Sequence, residues 1–196
     1  MRSLSFVILL TTACAHLKEV PAADLGSSDL AVYRAVLDSM FVGRGDSRIT
    51  QLVLSDSTRP LKGENLIAGL IKEFSRLPGV DTAAVRDLAI RSRERHSLEG
   101  MSRLGLKVPI TLVNRQTLSS LPRDAPDKYW SAFYQRFPGS SGSIELSAIG
   151  YSPNKDLAIL LVDQGCGSLC GSGYVVALRR VADGWRIAAI QQTWVS

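Results

Sequence analysis

Residues 157–195 read LAILLVDQGCGSLCGSGYVVALRRVADGWRIAAIQQTWV, and this stretch decides the fold. Its aliphatic and β-branched runs, Leu157 to Asp163, Gly173 to Arg180 and Trp185 to Val195, are separated by a Gly/Cys loop and by Ala182-Asp183-Gly184. Runs of this kind, bounded by Gly, Asp and Ser, are strand signals. A further run, Ser143 to Tyr151, precedes them across Ser152-Pro153-Asn154-Lys155-Asp156. Loops this short join antiparallel neighbours, because a parallel pair needs a crossover of a dozen or more residues. The carboxyl-terminal part is therefore predicted to be a four-stranded antiparallel meander.

Upstream, the apolar residues recur at three- and four-residue intervals instead. Leu30, Tyr33, Val36, Leu37, Met40 and Phe41 form one stripe, with Ser28 and Asp29 as start signals and Gly43 as a stop, which predicts an amphipathic helix. Leu66, Ile67, Leu70, Ile71 and Phe74 predict a second helix over Glu64 to Leu77, ended by Pro78-Gly79. A third, from Thr82 to about Arg93, carries the narrow face Val85, Leu88 and Ala89. Trp130, Phe133, Tyr134 and Phe137 give the segment Pro126 to Phe137 an aromatic helical face. Ile49 to Leu54 and Val108 to Val113 read as further strands. Helices first and a meander last predict an α+β fold, with the N-terminal helices covering one face of a curved antiparallel sheet.

The extreme amino terminus has a different logic. Met1-Arg2 is a short positive segment, Leu4 to Leu10 an apolar run too short to span a bilayer, and Thr11-Thr12-Ala13-Cys14 a small-residue stretch ending in cysteine. This resembles the lipobox of bacterial lipoproteins, although Thr11 stands where Leu, Val or Ile is usual. Two processing routes fit: cleavage before Cys14 with lipid attachment to that cysteine, which is the favoured expectation, or cleavage after Ala15, since Ala13-Cys14-Ala15 also fits an A-x-A pattern. Residues 1–15 are thus expected to be a signal peptide, 16–28 a tether and 29–196 one folded domain.

The cysteine count agrees with export. Removing Cys14 for lipid attachment leaves Cys166 and Cys170, an even pair for a disulfide in an oxidising compartment. Closing so short a loop contributes on the order of 2 kcal/mol. The C-x-x-x-C spacing between strands offers no helix N-terminus to activate a thiolate. A zinc site takes about four ligands, and the chain has three cysteines with only His16 and His96 besides, so neither a metal nor another cofactor is expected.

With 196 residues, 45% hydrophobic, and 23 Lys plus Arg against 18 Asp plus Glu for a net charge of +5, the chain is an ordinary globular one and too mildly basic for a dedicated nucleic-acid binder. A glycine-rich nucleotide fingerprint and a G-x-S-x-G elbow are both missing. His96 would be the base of any nucleophilic site, but it lies in the charged run RSRERHSLEG and reads as a solvated helix end. Of the carboxylates, Glu64, Glu73, Asp156 and Asp163 cannot be promoted to acid–base roles on sequence. Arg86, Arg91, Arg93, Arg95 and Arg103 form a candidate anionic docking patch for lipid headgroups or cell-wall polymers, or else a solvated face. The aromatic residues of Pro126 to Phe137, with Tyr151, Tyr174, Trp185 and Trp194, either fill the core or line a cavity between helix and sheet.

The run Cys166 to Tyr174, then Leu178-Arg179-Arg180, then Asp183-Gly184-Trp185-Arg186-Ile187, resembles a carboxyl-terminal module of uncharacterised bacterial secreted proteins and lipoproteins over about the last third of the chain. The Asp-Gly-Trp ending is also similar to the last hairpin of nuclear-transport-factor-2-like cone folds, which implies helices packed into a bent sheet; the catalytic set of cone-fold enzymes has no residue-by-residue match here. The resulting expectation is an exported cell-envelope protein, lipid-anchored through Cys14, with a binding or structural role, an envelope protein or cell-wall polymer as partner, and no nucleic acid. The rival is an envelope hydrolase or isomerase using a carboxylate in a cone-shaped pocket. Two carboxyls, or a carboxylate with Tyr134 or Tyr151, converging in a deep cavity would favour that rival, whereas a filled interior would remove it.

Overall fold

A computed structural model describes residues 26–43, 47–63 and 65–196. The expected signal peptide with Cys14, the tether as far as residue 25 with His16, residues 44–46 and Glu64 lie outside the described residues.

The helices form where the periodicity predicts them. Helix α1 (Ser27–Leu37) runs on into a π-helical turn, Asp38–Val42, and together they bury Val32, Tyr33, Val36, Leu37, Met40 and Phe41. Strand β1 (Gln51–Ser55) follows, then α2 (Leu66–Phe74) and α3 (Thr82–Arg91). Asp81 caps α3 by accepting from the Ala83 N–H at 2.8 Å. After a 3-10 turn (Glu99–Arg103) come β2 (Ile110–Val113) and the short α4 (Arg115–Ser119), whose first turn Asn114 caps through the Thr117 N–H. Helix α5 (Pro126–Arg136) starts on proline, whose missing N–H costs nothing in a first turn. The chain ends in β3 (Ser140–Leu146), β4 (Gly150–Tyr151), β5 (Leu157–Gly167), β6 (Cys170–Val181) and β7 (Gly184–Val195).

The fold is α+β, and the sheet corrects the expected meander. It has seven strands in the order β2-β1-β3-β5-β6-β7, with β4 beside β5. The successive pairs β3–β5, β5–β6 and β6–β7 are antiparallel, as the short loops require. Strand β1 pairs in parallel with both β2 and β3, so the sheet is mixed. Local pattern located β1 and β2 but contains nothing about their partners, which are brought in by crossovers through α2, α3 and α5.

Helices cover both faces, a second correction. Leu52, Leu54, Ile144, Leu146, Ala158, Leu160, Val162, Val176 and Leu178 pack with α1 and its π turn. The alternate residues of the same strands face the other way. Leu157, Ile159, Val175 and Ala177 pack under α2 and α3, and Val53 and Val113 under α5. Strands buried on two faces read as continuous apolar runs, as LAILLV at 157–162 does.

Residues 164–172, expected as a loop, are strand almost throughout, and the hairpin turns only at Ser168-Leu169. The Trp194 indole lies across β6, where a side chain at Gly173 would meet its Nε1 at 1.9 Å. Glycine is required there to admit the ring.

Strand β4 continues β3 after a break at Ser147–Ile149. Ser147 still pairs across to Leu161, its N–H donating to the Leu161 carbonyl at 3.0 Å and its Oγ accepting the Leu161 N–H at 2.9 Å. At Gly150 the backbone of α3 rests directly on β4, since a Cβ there would fall 2.3 Å from the Ala84 carbonyl oxygen and 2.5 Å from Leu88. Gly150→Ala is expected to cost about 2 to 3 kcal/mol through forced separation of α3 from the sheet. Urea denaturation measures it, and an unchanged midpoint would contradict this seating.

Candidate functional site

At the β4 edge of the sheet, α1 from one face and α3 from the other come within reach of each other. Asp29 sits in the first turn of α1 and Arg91 in the last turn of α3, the helix ends whose dipoles favour an anion and a cation respectively. The Asp29 residue is 6% exposed. Arg91 Nη2 donates to Asp29 Oδ2 at 2.6 Å, and the Tyr151 hydroxyl of β4 donates to Oδ1 at 2.8 Å. The Arg91 guanidinium also stands 5.4 Å from the centroid of the Tyr151 ring, whose neighbour is Trp185 at 5.9 Å. The Tyr151 backbone N–H donates to Asp87 Oδ2 at 2.8 Å.

Asp29, Asp87, Arg91 and Tyr151 form one wall of an open cleft of about 720 Å3, whose lining also includes Ser28, His96, Ser152, Pro153 and Lys155. His96 Nε2 lies 2.8 Å from the Arg91 carbonyl oxygen. A carbonyl only accepts, so Nε2 is the donor in this contact.

Burial holds both tyrosines of this region in the protonated state. Tyr151 is pushed up by desolvation, then by the Asp29 charge and the hydrogen bond to it. Tyr33, whose hydroxyl donates to the Ser147 carbonyl at 2.8 Å, is pushed up by desolvation and then by Asp29. Desolvation pulls the Arg91 pKa down, but Asp29, Tyr151 and Asp87 outweigh it and the net shift is upward. Both Asp29 oxygens are engaged and its neighbours are donors that keep their protons. The cleft is a ready-made hydrogen-bonding surface for a polar ligand, in which Asp87 and the Ser152 hydroxyl, itself donating to Asp156, stand beside the engaged Asp29.

The five arginines expected as a docking patch go to different surroundings. Arg91 leaves that set, being half-buried on Asp29. Arg95 reaches Ser57 Oγ at 3.4 Å in a narrow slot with Arg59, Arg115 and Glu145, and Arg103 lies on the 3-10 turn. Arg86 and Arg93 are exposed.

Among the other carboxylates, Glu73 pairs with Arg76, Asp156 accepts from Ser152 Oγ, and Asp163 takes Arg59 at 2.7 Å and the Trp194 Nε1–H at 3.0 Å. The Ser152 hydrogen bond holds the Asp156 carboxyl below its usual range. Cys166 and Cys170 form the disulfide, with Cα atoms 5.0 Å apart, and the Tyr134 hydroxyl donates to the Cys166 carbonyl. Phe133 and Phe137 are core. No three His, Cys, Asp or Glu side chains stand together as a metal site among the described residues.

Sequence reasoning took Asp29 as a helix start and Tyr151 as a strand end, and missed that they meet. A signal was available: Asp29, Val32, Tyr33 and Val36 share one helical stripe, so the acid occupies a core-facing position that demands a partner. No protein-family model, no curated protein and no solved structure matches the chain.

Removing one member of the pair leaves a poorly solvated charge, so Asp29→Ala is expected to cost about 3 kcal/mol. The double variant Asp29→Ala/Arg91→Ala should lose less than the sum of the singles, as a double-mutant cycle in urea would measure. Additive losses would mean that the two do not interact. The tyrosines predict alkaline behaviour. Their folded pKa values lie above the ordinary 10.0, so the unfolded chain releases protons first, and stability present below pH 10 falls as pH rises beyond it, by about 1.4 kcal/mol per pH unit for each group. Tyr151→Phe should make that decline shallower in pH-dependent urea titrations.

Proposed function

We propose that this protein is exported to the bacterial cell envelope, is held there by lipid on Cys14, and uses the Asp29–Arg91–Tyr151 cleft to bind a polar envelope partner, an envelope protein or cell-wall polymer. The observation that carries a binding role over a catalytic one is the saturation of Asp29. A carboxylate that already accepts from a guanidinium and a phenol is a poor base or nucleophile, whereas the cleft around it presents His96, Lys155, Ser28 and Ser152. Export is supported by the Cys166–Cys170 disulfide, which fits an oxidising compartment, and by the amino-terminal sequence. Among the described residues no helix is long and apolar enough to cross a membrane.

The enzyme reading keeps one observation in its favour, the meeting of a carboxylate with Tyr151 beside a cleft. Incubating the purified protein with isolated cell wall separates the two. Binding predicts cosedimentation, weakened about tenfold by Lys155→Glu, with no new soluble fragments by mass spectrometry. Fragments released by the parent and not by a folded Asp29→Asn variant would establish hydrolysis instead.

Localisation has its own measurement, the intact mass of protein taken from the envelope, with and without reductant. Lipid anchoring predicts a chain beginning at Cys14 with added acyl mass and a gain of two hydrogens on reduction. A chain beginning at His16 without acyl mass would overturn the anchor and make the protein a released one.

A further inference from the structure

On the far side of α3 from the cleft, α2 and the segment before it form a second depression, independent of the envelope reading. Leu70 and Phe74 of α2 turn into the core, Leu66 and Ile71 pack against it while half-buried, and Ile67 and Ala68 are exposed. Ile67 is 39% exposed, and with Leu61, Leu66, Ala68, Ile71 and Ala89 it lines a groove of about 610 Å3. Lys62 and Arg93 belong to the same lining. Both are exposed, and neither side chain has an ion pair or hydrogen bond with another described residue.

We propose that the α2 groove binds a single-chain anionic amphiphile, an unbranched aliphatic chain ending in a carboxylate, with the chain along the α2 aliphatic residues and the head between Lys62 and Arg93. The walls are mostly aliphatic, with Gly63 and the polar Asn65 beside the two cations, and the described lining residues include no aromatic side chain or carboxylate. They offer methyl and methylene surface whose removal from water is favourable and undirected, which suits a hydrocarbon chain. The Lys62 ammonium and the Arg93 guanidinium supply the opposite charge: each makes charge-assisted hydrogen bonds to a carboxylate. A neutral chain would leave them unanswered. A polar anion alone would leave the apolar walls wet.

Isothermal titration calorimetry of the purified protein with monomeric decanoate tests this, with propionate as the head without the chain and 1-octanol as a chain without charge. Saturable one-to-one binding of decanoate and none of propionate is the expected result. Ala68→Trp, at an exposed position, fills the groove and should weaken decanoate about tenfold or more. Ile67→Asn is a second variant of the same wall, and both are checked for an unchanged thermal melt. Lys62→Glu/Arg93→Glu should weaken decanoate by a similar factor while leaving 1-octanol binding in place. The proposal is overturned if propionate binds as well as decanoate, if decanoate does not bind, or if folded Ala68→Trp and Ile67→Asn bind it unchanged. Binding confined to vesicles of anionic phospholipid would also overturn it, in favour of a bilayer-docking face. None of these readouts depends on Cys14 or on the Asp29 cleft, so this proposal and the envelope reading fail separately.

Discussion

A carboxylate carried into the protein by the first turn of a helix must find its partners there, because an unpaired buried charge costs more than a domain of this size can spare. Asp29 meets that demand with Arg91 from α3 and Tyr151 from β4. The result joins three elements that approach from both faces and the edge of the sheet. Each charge also sits at the helix end whose dipole favours it. The cleft beside this cluster is lined from both helices, by Ser28 and Asp29 of α1 and by Ala83, Asp87 and Arg91 of α3.

That convergence rests on the break between β3 and β4. A strand continuing unbroken past Leu146 would keep its ladder with β5 in register, but the chain leaves it at Ser147–Ile149 and re-enters at Gly150. Ser147 makes the break tolerable by pairing both its N–H and its hydroxyl with Leu161 and offering its carbonyl to Tyr33. Buried backbone groups are thereby satisfied where the regular ladder stops. Gly150 then admits the α3 backbone. Arg91, one turn beyond Leu88, is delivered to Asp29 by this seating.

The opposite end of the sheet follows the same rule on a smaller scale. Trp194 crosses β6 at Gly173 and donates to Asp163, which also holds Arg59. What looks like a flexible glycine loop is a strand whose glycines make room for an indole. The disulfide sits at its turn, next to a strongly exposed Leu169.

Most of the helices and strands were legible in the sequence because they are local: a stripe at three- and four-residue spacing or a β-branched run between turn residues records which face a segment buries. The antiparallel order of β3, β5, β6 and β7 was legible for the same reason, since short loops leave one choice of neighbour, and so was the cysteine pairing once Cys14 was assigned elsewhere. The parallel partners of β1, the burial of the sheet on both faces and the departure of Arg91 from its neighbouring arginines were not. Each depends on contacts between residues far apart in the chain: Asp29 and Arg91 are 62 positions apart and Asp29 and Tyr151 122. Composition and periodicity say that a buried acid needs a cation and a donor; only the packing of α3 onto Gly150 decides which arginine and which phenol answer it.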